Sequence, residues 1–379
     1  VRALHRLLSI ALVSLAVSAC ARAGDPLPLG ARRDDCASCH VEQAEDFERS
    51  AHARSDRSPV LEALLPRARE AWGQAAADRC QRCHAPAHAA LLGDMDAERS
   101  VTCVTCHAAV GNRGERDGLL VVDPSAPLAG PFDDVEATPA HASRAAPLLA
   151  SSSLCGTCHE VTGPSVFVEE TLSEHHVASP GPEDPSCASC HLPRRADGPI
   201  ALGATVSRAR TDHGFVGLDP PWGAPEAERA RAAAEATTLL ENALSLDATR
   251  EGAVLVVRVT NVGARHAVPT GVAFLRDVWV DVLVHARDGS TRTAPRVISL
   301  GDQPLSGGEP VALITDADSV ERHRLEYGES RDARLEIPDD AEVEVVLRAR
   351  AFREEVLVAL DLSARADEVP TLEVARLSR

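Results

Sequence analysis

The chain contains no lysine: all 39 of its basic residues are arginine, set against 57 Asp and Glu. A formal charge of −18 lacks the electrostatic footprint of a nucleic-acid binder, so nucleic acid is not an expected partner. Aromatic residues are scarce too, at 3% of the chain with one Tyr and one Met. That is low for a protein whose core is made of side chains alone. Long apolar runs are missing: Leu7–Val17 is the longest, and it falls short of the ~20 residues that span a bilayer. The C-terminal part carries no Ser-His-Asp, phosphate-loop or paired-carboxylate signature, so no hydrolytic or phosphoryl-transfer site is expected there.

What the chain does have is one motif repeated. Cys-x-x-Cys-His occurs five times: Cys36, Cys39 and His40; Cys80, Cys83 and His84; Cys103, Cys106 and His107; Cys155, Cys158 and His159; Cys187, Cys190 and His191. Random placement at this composition would give on the order of 0.01 copies. The spacing is the attachment signature of c-type haem: two thiols form thioethers to the porphyrin vinyl groups and the adjacent histidine ligates the iron. Ten of the eleven cysteines are consumed, leaving Cys20 and no disulfide framework. Structural zinc gives no reason for a histidine directly after every second cysteine, and five thioredoxin-type motifs in one chain are implausible. Five haem c groups are therefore the expected cofactors. Large flat apolar porphyrins also answer the aromatic shortage, since they can serve as core, and the haem region should not fold without them.

Cys20 is explained by what precedes it. Arg2 and Arg6 lead into Leu7–Val17, and small residues stand before the cysteine, which reads as an export signal over 1–19. Val17-Ser18-Ala19-Cys20 resembles a bacterial lipobox, implying lipid on Cys20 and a tether over 20–33. The expected product is exported and lipid-anchored, periplasmic or associated with the outer membrane.

The expected fold class is α + β in two parts. Residues 34–220 hold every haem motif, with short helical patches such as Val41–Arg57 and Val60–Gly73 among scattered Pro and Gly. An Ala-rich helix, Glu226–Asn242, falls within a connecting segment 221–242. Over 243–379 the period changes to two: Val254–Thr260, Asp277–His285, Glu342–Ala351 and Glu355–Leu360 alternate apolar and polar residues, with turn signals such as Asp288-Gly289 between them. That spacing predicts an antiparallel β-sandwich of the immunoglobulin kind.

The ligand on the far side of each iron separates carrier from catalyst. Two histidines leave no vacancy for substrate, whereas a five-coordinate haem can bind a small ligand. Beyond the proximal set, the chain after Cys20 offers His52, His88, His141, His175, His176, His213, His266, His285 and His323, enough for full bis-histidine ligation. His88 follows His84 by four residues across Pro86 and is a reserve candidate; Met95 ranks lower still.

Local sequence ranks them through a resemblance. Phe47-Glu48-Arg49-Ser50-Ala51-His52-Ala53, Leu154–Glu160 with Glu170–Glu174 and Cys187–Pro193, and Asp212–Gly217 together resemble the cytochrome c-554/c-prime family of multihaem cytochromes. Asn261–Gly271, with His266-Ala267-Val268-Pro269-Thr270-Gly271, is similar to the signature of β domains appended to such cytochromes. The resemblance implies distal ligation by His52, His141 and His213, and by His266 reaching from its loop into the haem half. Arg265 stands where the family pattern has Gly, which puts the loop conformation there in question. His175 occupies a position usually held by Trp, so neither it nor His176 inherits a role. His176 is the favoured fifth ligand, with His175 and His88 as alternatives.

These readings lead to an expected electron carrier working between membrane or periplasmic redox partners, such as other cytochromes and quinol-linked membrane enzymes. The competing class is a reductase or oxidase of a small nitrogen or oxygen species at one five-coordinate haem. A third reading makes the C-terminal sandwich a recognition module served by the haems.

Overall fold

The computed structural model describes residues 33–86, 99–134, 140–181 and 184–378. The expected export signal, the expected lipidation site Cys20, His88 and Met95 lie outside the described residues, as does all of the expected tether but Arg33. The longer helices are α1 (Val41–Glu48), α2 (Pro59–Trp72), α3 (Gln74–His84), α4 (Thr171–Ala178), α5 (Glu226–Ala243) and α6 (Glu354–Ala359). None among the described residues is long and apolar enough to cross a membrane.

The C-terminal strands are β1 (Leu244–Glu251), β2 (Val254–Asn261), β3 (Asp277–His285), β4 (Thr291–Leu300), β5 (Gln303–Ser306), β6 (Glu309–Pro310), β7 (Ser319–Glu321), β8 (Ser330–Glu336), β9 (Glu342–Arg350) and β10 (Leu372–Ser378). They form antiparallel sheets in the orders β8-β2-β1, β4-β3-β9-β10 and β6-β5-β7. The fold class is α + β, with an antiparallel sandwich at the C-terminal end. Alternation explains it: Leu255, Val257 and Val259 of β2 and Val280, Val282 and Val284 of β3 point into one apolar core with Val343, Val345 and Leu347 of β9. The hairpin turn at Asp288-Gly289 has Gly289 at φ +82°, and Asp288 Oδ1 accepts the Ser290 N–H at 2.8 Å.

One expected strand is corrected. Glu355–Leu360 belongs to helix α6, begun by two acidic residues, with Val356, Leu357 and Leu360 buried on one helical face. Leu357 and Leu360 donate their N–H groups to Arg353 O and Val356 O, at 3.2 and 3.0 Å. Six apolar-rich residues fit either period, and packing decided between them. The helix expected through Val41–Arg57 also divides, into α1 and a 3₁₀ turn, His52–Arg57.

By contacts the chain forms two compact units. The first comprises the described residues up to Asp56, with Gln81–Thr157 and Ser186–Gly214; the second comprises Arg57–Cys80, Cys158–Pro185 and Phe215 onward. These units interleave along the sequence, and their divisions fall inside the second and fourth haem motifs.

Their interiors differ in kind. The second unit holds the sandwich core and a second apolar cluster, where Val60 of α2 meets Phe274, Ile314, Phe352 and Leu357. Aromatics concentrate there: Phe167 lies edge-on to both Trp72 and Phe274, and Trp222 sits 5.7 Å from Phe352. In the first unit the buried apolar residues are alanines apart from Phe47 and Val104. Its one apolar cluster among the described residues is Val104 and Ala108, with Val122 and Leu128 against them. A body with so little buried hydrocarbon of its own cannot be held by side-chain packing alone. Porphyrins, the large apolar bodies expected from the sequence, would supply such a core.

Candidate haem-binding site

Three of the attachment motifs lie within a helix and two straddle a helix end. Cys103–His107 is a helix with a capping box: Thr102 Oγ1 accepts the Thr105 N–H at 3.3 Å, and Thr105 Oγ1 accepts the Thr102 N–H at 3.0 Å. Within that turn Cys103 and Cys106 are both half-buried. Cys187–His191 is likewise one helix, with the Cys187 N–H donated to Ser152 Oγ at 3.2 Å. Here the two thiols differ: Cys187 is half-buried, whereas Cys190 is exposed, with its Sγ 3.9 Å from Ser189 Oγ. Cys80, Cys83 and His84 occupy the last turn of α3. Cys36 and Cys155 are the penultimate residues of short helices, and their partner cysteines Cys39 and Cys158 follow in the next turn, with the Cys39 N–H bonded to Cys36 O at 3.1 Å. Helical spacing places the two thiols of a motif and its histidine on one face, the geometry that two thioethers and an axial bond to one macrocycle require. Gly118 shows how closely the chain packs there: at φ +69° its missing Cβ would lie 2.6 Å from Arg82 Cβ and 3.1 Å from Cys83 Sγ.

The first unit brings four predicted histidines together as two pairs. His40 and His141 have ring centres 6.3 Å apart, and His107 and His213 have theirs 6.4 Å apart with planes 21° from parallel. Two imidazoles bound to one metal through nitrogens at about 2.0 Å, each nitrogen about 1.1 Å from its ring centre, would have ring centres separated by about 6.2 Å. Both pairs have that separation.

Second contacts select the ligating atom. Nδ1 of His40 meets Ile200 O at 2.8 Å, Nδ1 of His107 meets Ala129 O at 2.7 Å, and Nδ1 of His213 meets Thr211 O at 2.9 Å. His141 Nδ1 lies 3.1 Å from Ser143 Oγ. A carbonyl at Nδ1 fixes the proton there and leaves the Nε2 lone pair for a metal. Burial pushes the His107 and His213 imidazoles below their ordinary pKa, most strongly through lost hydration. The neutral form so favoured is the one that ligates.

The other predicted residues are placed as follows. His84 has Nδ1 against Ser55 O at 3.2 Å, while Ser55 Oγ donates to His84 O at 2.8 Å. His52 opens the 3₁₀ turn half-buried, two residues after the buried Ser50. His159 is exposed and His191 half-buried. On α4, His175 is buried with Nδ1 3.2 Å from Arg265 O, whereas His176 is exposed. The Nδ1–carbonyl contact seen in the paired histidines is thus carried by His175.

His266 is half-buried in its loop, with Nδ1 2.8 Å from Ala267 O. Asn261 holds this loop by donating to His266 O at 2.8 Å and to Leu325 O at 3.1 Å. Arg265 does not adopt the left-handed conformation that its place in the pattern raised as a question. Its guanidinium lies over the Tyr327 ring at 4.3 Å and donates to Ala178 O at 3.2 Å. Gly263 is obligatory, because a Cβ would fall 2.1 Å from Asn242 O.

Two polar networks were not foreseen. Glu174 of α4 accepts from the Ala267 N–H at 3.1 Å and from Thr270 Oγ1 and Arg324 at 2.5 Å each, and buried Arg324 pairs with Asp302 at 2.9 Å. In the first unit Asp46, Arg49, Arg195 and Asp212 form a closed cluster beside His213. Only the polar residue next to His213 could have hinted at it.

The motifs, the histidine pairs and a first unit with little apolar core among its described residues are the features expected of a multihaem c-type cytochrome that binds haem c covalently. Residues 35–108 match the family model described as Cytochrome c554 and c-prime. The chain also shares its fold with a penta-heme cytochrome c552 from Thermochromatium tepidum, at a TM-score of 0.69 and 18% identity, over 93% of this chain and 99% of that one. No curated protein matches.

Proposed function

We propose that this protein is an exported five-haem electron carrier, anchored by lipid at Cys20, passing electrons between other cytochromes or quinol-linked enzymes at a membrane. The carrying observation is the pair of imidazole pairs at 6.3 and 6.4 Å. Bound through Cys36 with Cys39, and through Cys103 with Cys106, haem supplies reversible one-electron chemistry.

The chain's own residues do the rest. His40 and His107 would supply one donor each to an iron and His141 and His213 the other, with Nδ1 of each ring held by a carbonyl or hydroxyl oxygen that orients it. With both faces taken, those positions exclude substrate, which favours transfer over catalysis. His84, His159 and His191 are the remaining proximal donors, and His52, His266 and His175 or His176 the distal candidates for them. His107 lies within electrostatic reach of His213, His40 and His141 together, so the two paired sites are neighbours.

The test is the spin state of the ferric, haem-loaded protein, together with its mass after acid denaturation. Five haems' worth of added mass and low-spin signals alone, unchanged by cyanide or nitrite, are expected. A high-spin signal that shifts with nitrite or hydroxylamine would replace the carrier with a small-molecule reductase.

A further inference from the structure

The cluster beside His213 has properties that structural packing alone does not require. Asp212 is 4% exposed. One carboxylate oxygen accepts the Gly214 N–H at 2.7 Å, and the other contacts Arg195. Arg49 lies 3.8 Å from Asp212 and 2.6 Å from Asp46, and Arg195 lies 3.5 Å from Asp46. Two acids and two arginines thus neutralise each other in a closed ring.

The ring is drawn from three segments that each leave a haem site. Asp46 and Arg49 sit on or at the end of α1, which starts directly after His40. Arg195 is the second residue of the strand Arg194–Pro199 that follows His191, and the Asp212 N–H is donated to Pro193 O at 2.9 Å. Asp212 precedes His213, and its bond to Gly214 closes the turn that bears the imidazole. Gly214 is tight against it, a Cβ there meeting Asp212 Oδ1 at 3.0 Å.

We propose that Asp212 is a positioning residue for His213, and that the ring of Asp46, Arg49, Arg195 and Asp212 sets the reduction potential of the haem between His107 and His213. This rests on the reading that those two histidines share one iron. The two carboxylates act on the His213 imidazole electrostatically, so their field reaches the ligand. A ferric haem carries one more positive charge than a ferrous one. A carboxylate left without its arginine therefore favours the oxidised form, and an arginine left without its carboxylate favours the reduced form.

The experiment uses the full haem-loaded chain, with redox titration and electron paramagnetic resonance on Asp212→Asn, Arg195→Gln, the double variant and Asp212→Ala. Asparagine still offers an oxygen to Gly214 N–H, so Asp212→Asn keeps every haem low-spin. It should raise one potential, and Arg195→Gln should lower the same one. Each shift should be about a tenfold change in oxidised-to-reduced ratio, ~59 mV for one electron. The double variant should return toward the parent. Asp212→Ala removes the turn's acceptor and should turn one haem high-spin.

Unmoved potentials in both charge variants, or shifts of one sign, overturn the electrostatic role; a fully low-spin Asp212→Ala overturns the positioning role. If Asp212→Ala does not fold, Asp212→Asn and Arg195→Gln still decide the question. A high-spin haem in the parent protein would overturn the carrier reading while leaving these signs readable.

Discussion

His107 and His213 face each other across 6.4 Å with rings 21° from parallel, each holding a backbone carbonyl at Nδ1. One histidine ends an attachment motif, and the other follows the last motif in a different segment of the same unit. Substituting His213 with Ala should therefore leave haem attachment intact and convert one haem to high spin. His141→Ala should do the same to a different haem, and the two effects should add. Electron paramagnetic resonance of the single and double variants decides this; a low-spin spectrum in either single variant would retire that pairing.

On α4 the contrast between neighbours is equally specific. His175 is buried against Arg265 O while His176 is exposed. If His175 is the fifth distal ligand, His175→Ala creates a high-spin haem and His176→Ala does not. The reverse result would restore the sequence preference for His176.

The Glu174–Arg324–Asp302 network joins α4 to the loop bearing His266 within the second unit. Arg324 is buried, so removing Glu174 leaves its charge to Asp302 and Glu170 alone, away from water. Glu174→Gln is expected to lower stability by about 3 kcal/mol or more, in line with broken buried ion pairs. Chemical denaturation followed by circular dichroism measures it, and a loss under about 1 kcal/mol would mean that Asp302 and Glu170 satisfy the arginine.

The sandwich was legible because its strands lie half in and half out of the core, and that alternation is written in the sequence. Asp277–His285 was expected and is observed with those bounds. Leu347 shows what the alternation serves: it is fully buried between the sheets, and Leu347→Ala should cost about 2–5 kcal/mol in the same denaturation assay. Glu355–Leu360 was misread since a short apolar run has no decisive period, and the turn begun after Arg353 depends on tertiary packing.

The candidate attachment motifs are legible for another reason. Thioether chemistry imposes a local spacing that no folding is needed to see. Partnership between His40 and His141 is tertiary, and so is the closed charge ring at Asp212. Sequence supplies the candidates for such relations and leaves the matching to the fold. The small ribbons among the haem motifs, such as Arg194–Pro199 with Ser207–Thr211, were missed for the same reason: their registers follow from the turns around the motifs rather than from alternation.

Glu169 gives the clearest pH signature in the second unit. Loss of hydration raises its carboxyl from an ordinary 4.5 to about 7, with Asp219 and Glu160 adding to the rise and Arg276 opposing it. Arg276 is already committed to Asp219, with contacts of 3.0 and 2.9 Å, so its pull on Glu169 is shared. Between pH 4.5 and about 7 the native protein holds a proton at Glu169 that the unfolded chain releases. Stability therefore falls as pH rises through that window; the penalty is absent below it and complete above it. Its upper limit is about 3 kcal/mol, reduced by any water that reaches the carboxyl. Glu169→Gln removes the titration, so its denaturation midpoint should decline less than the parent's between those pH values. Parallel pH profiles for the two proteins would show that Glu169 is ionised in the native state throughout, and would assign the slope to other groups.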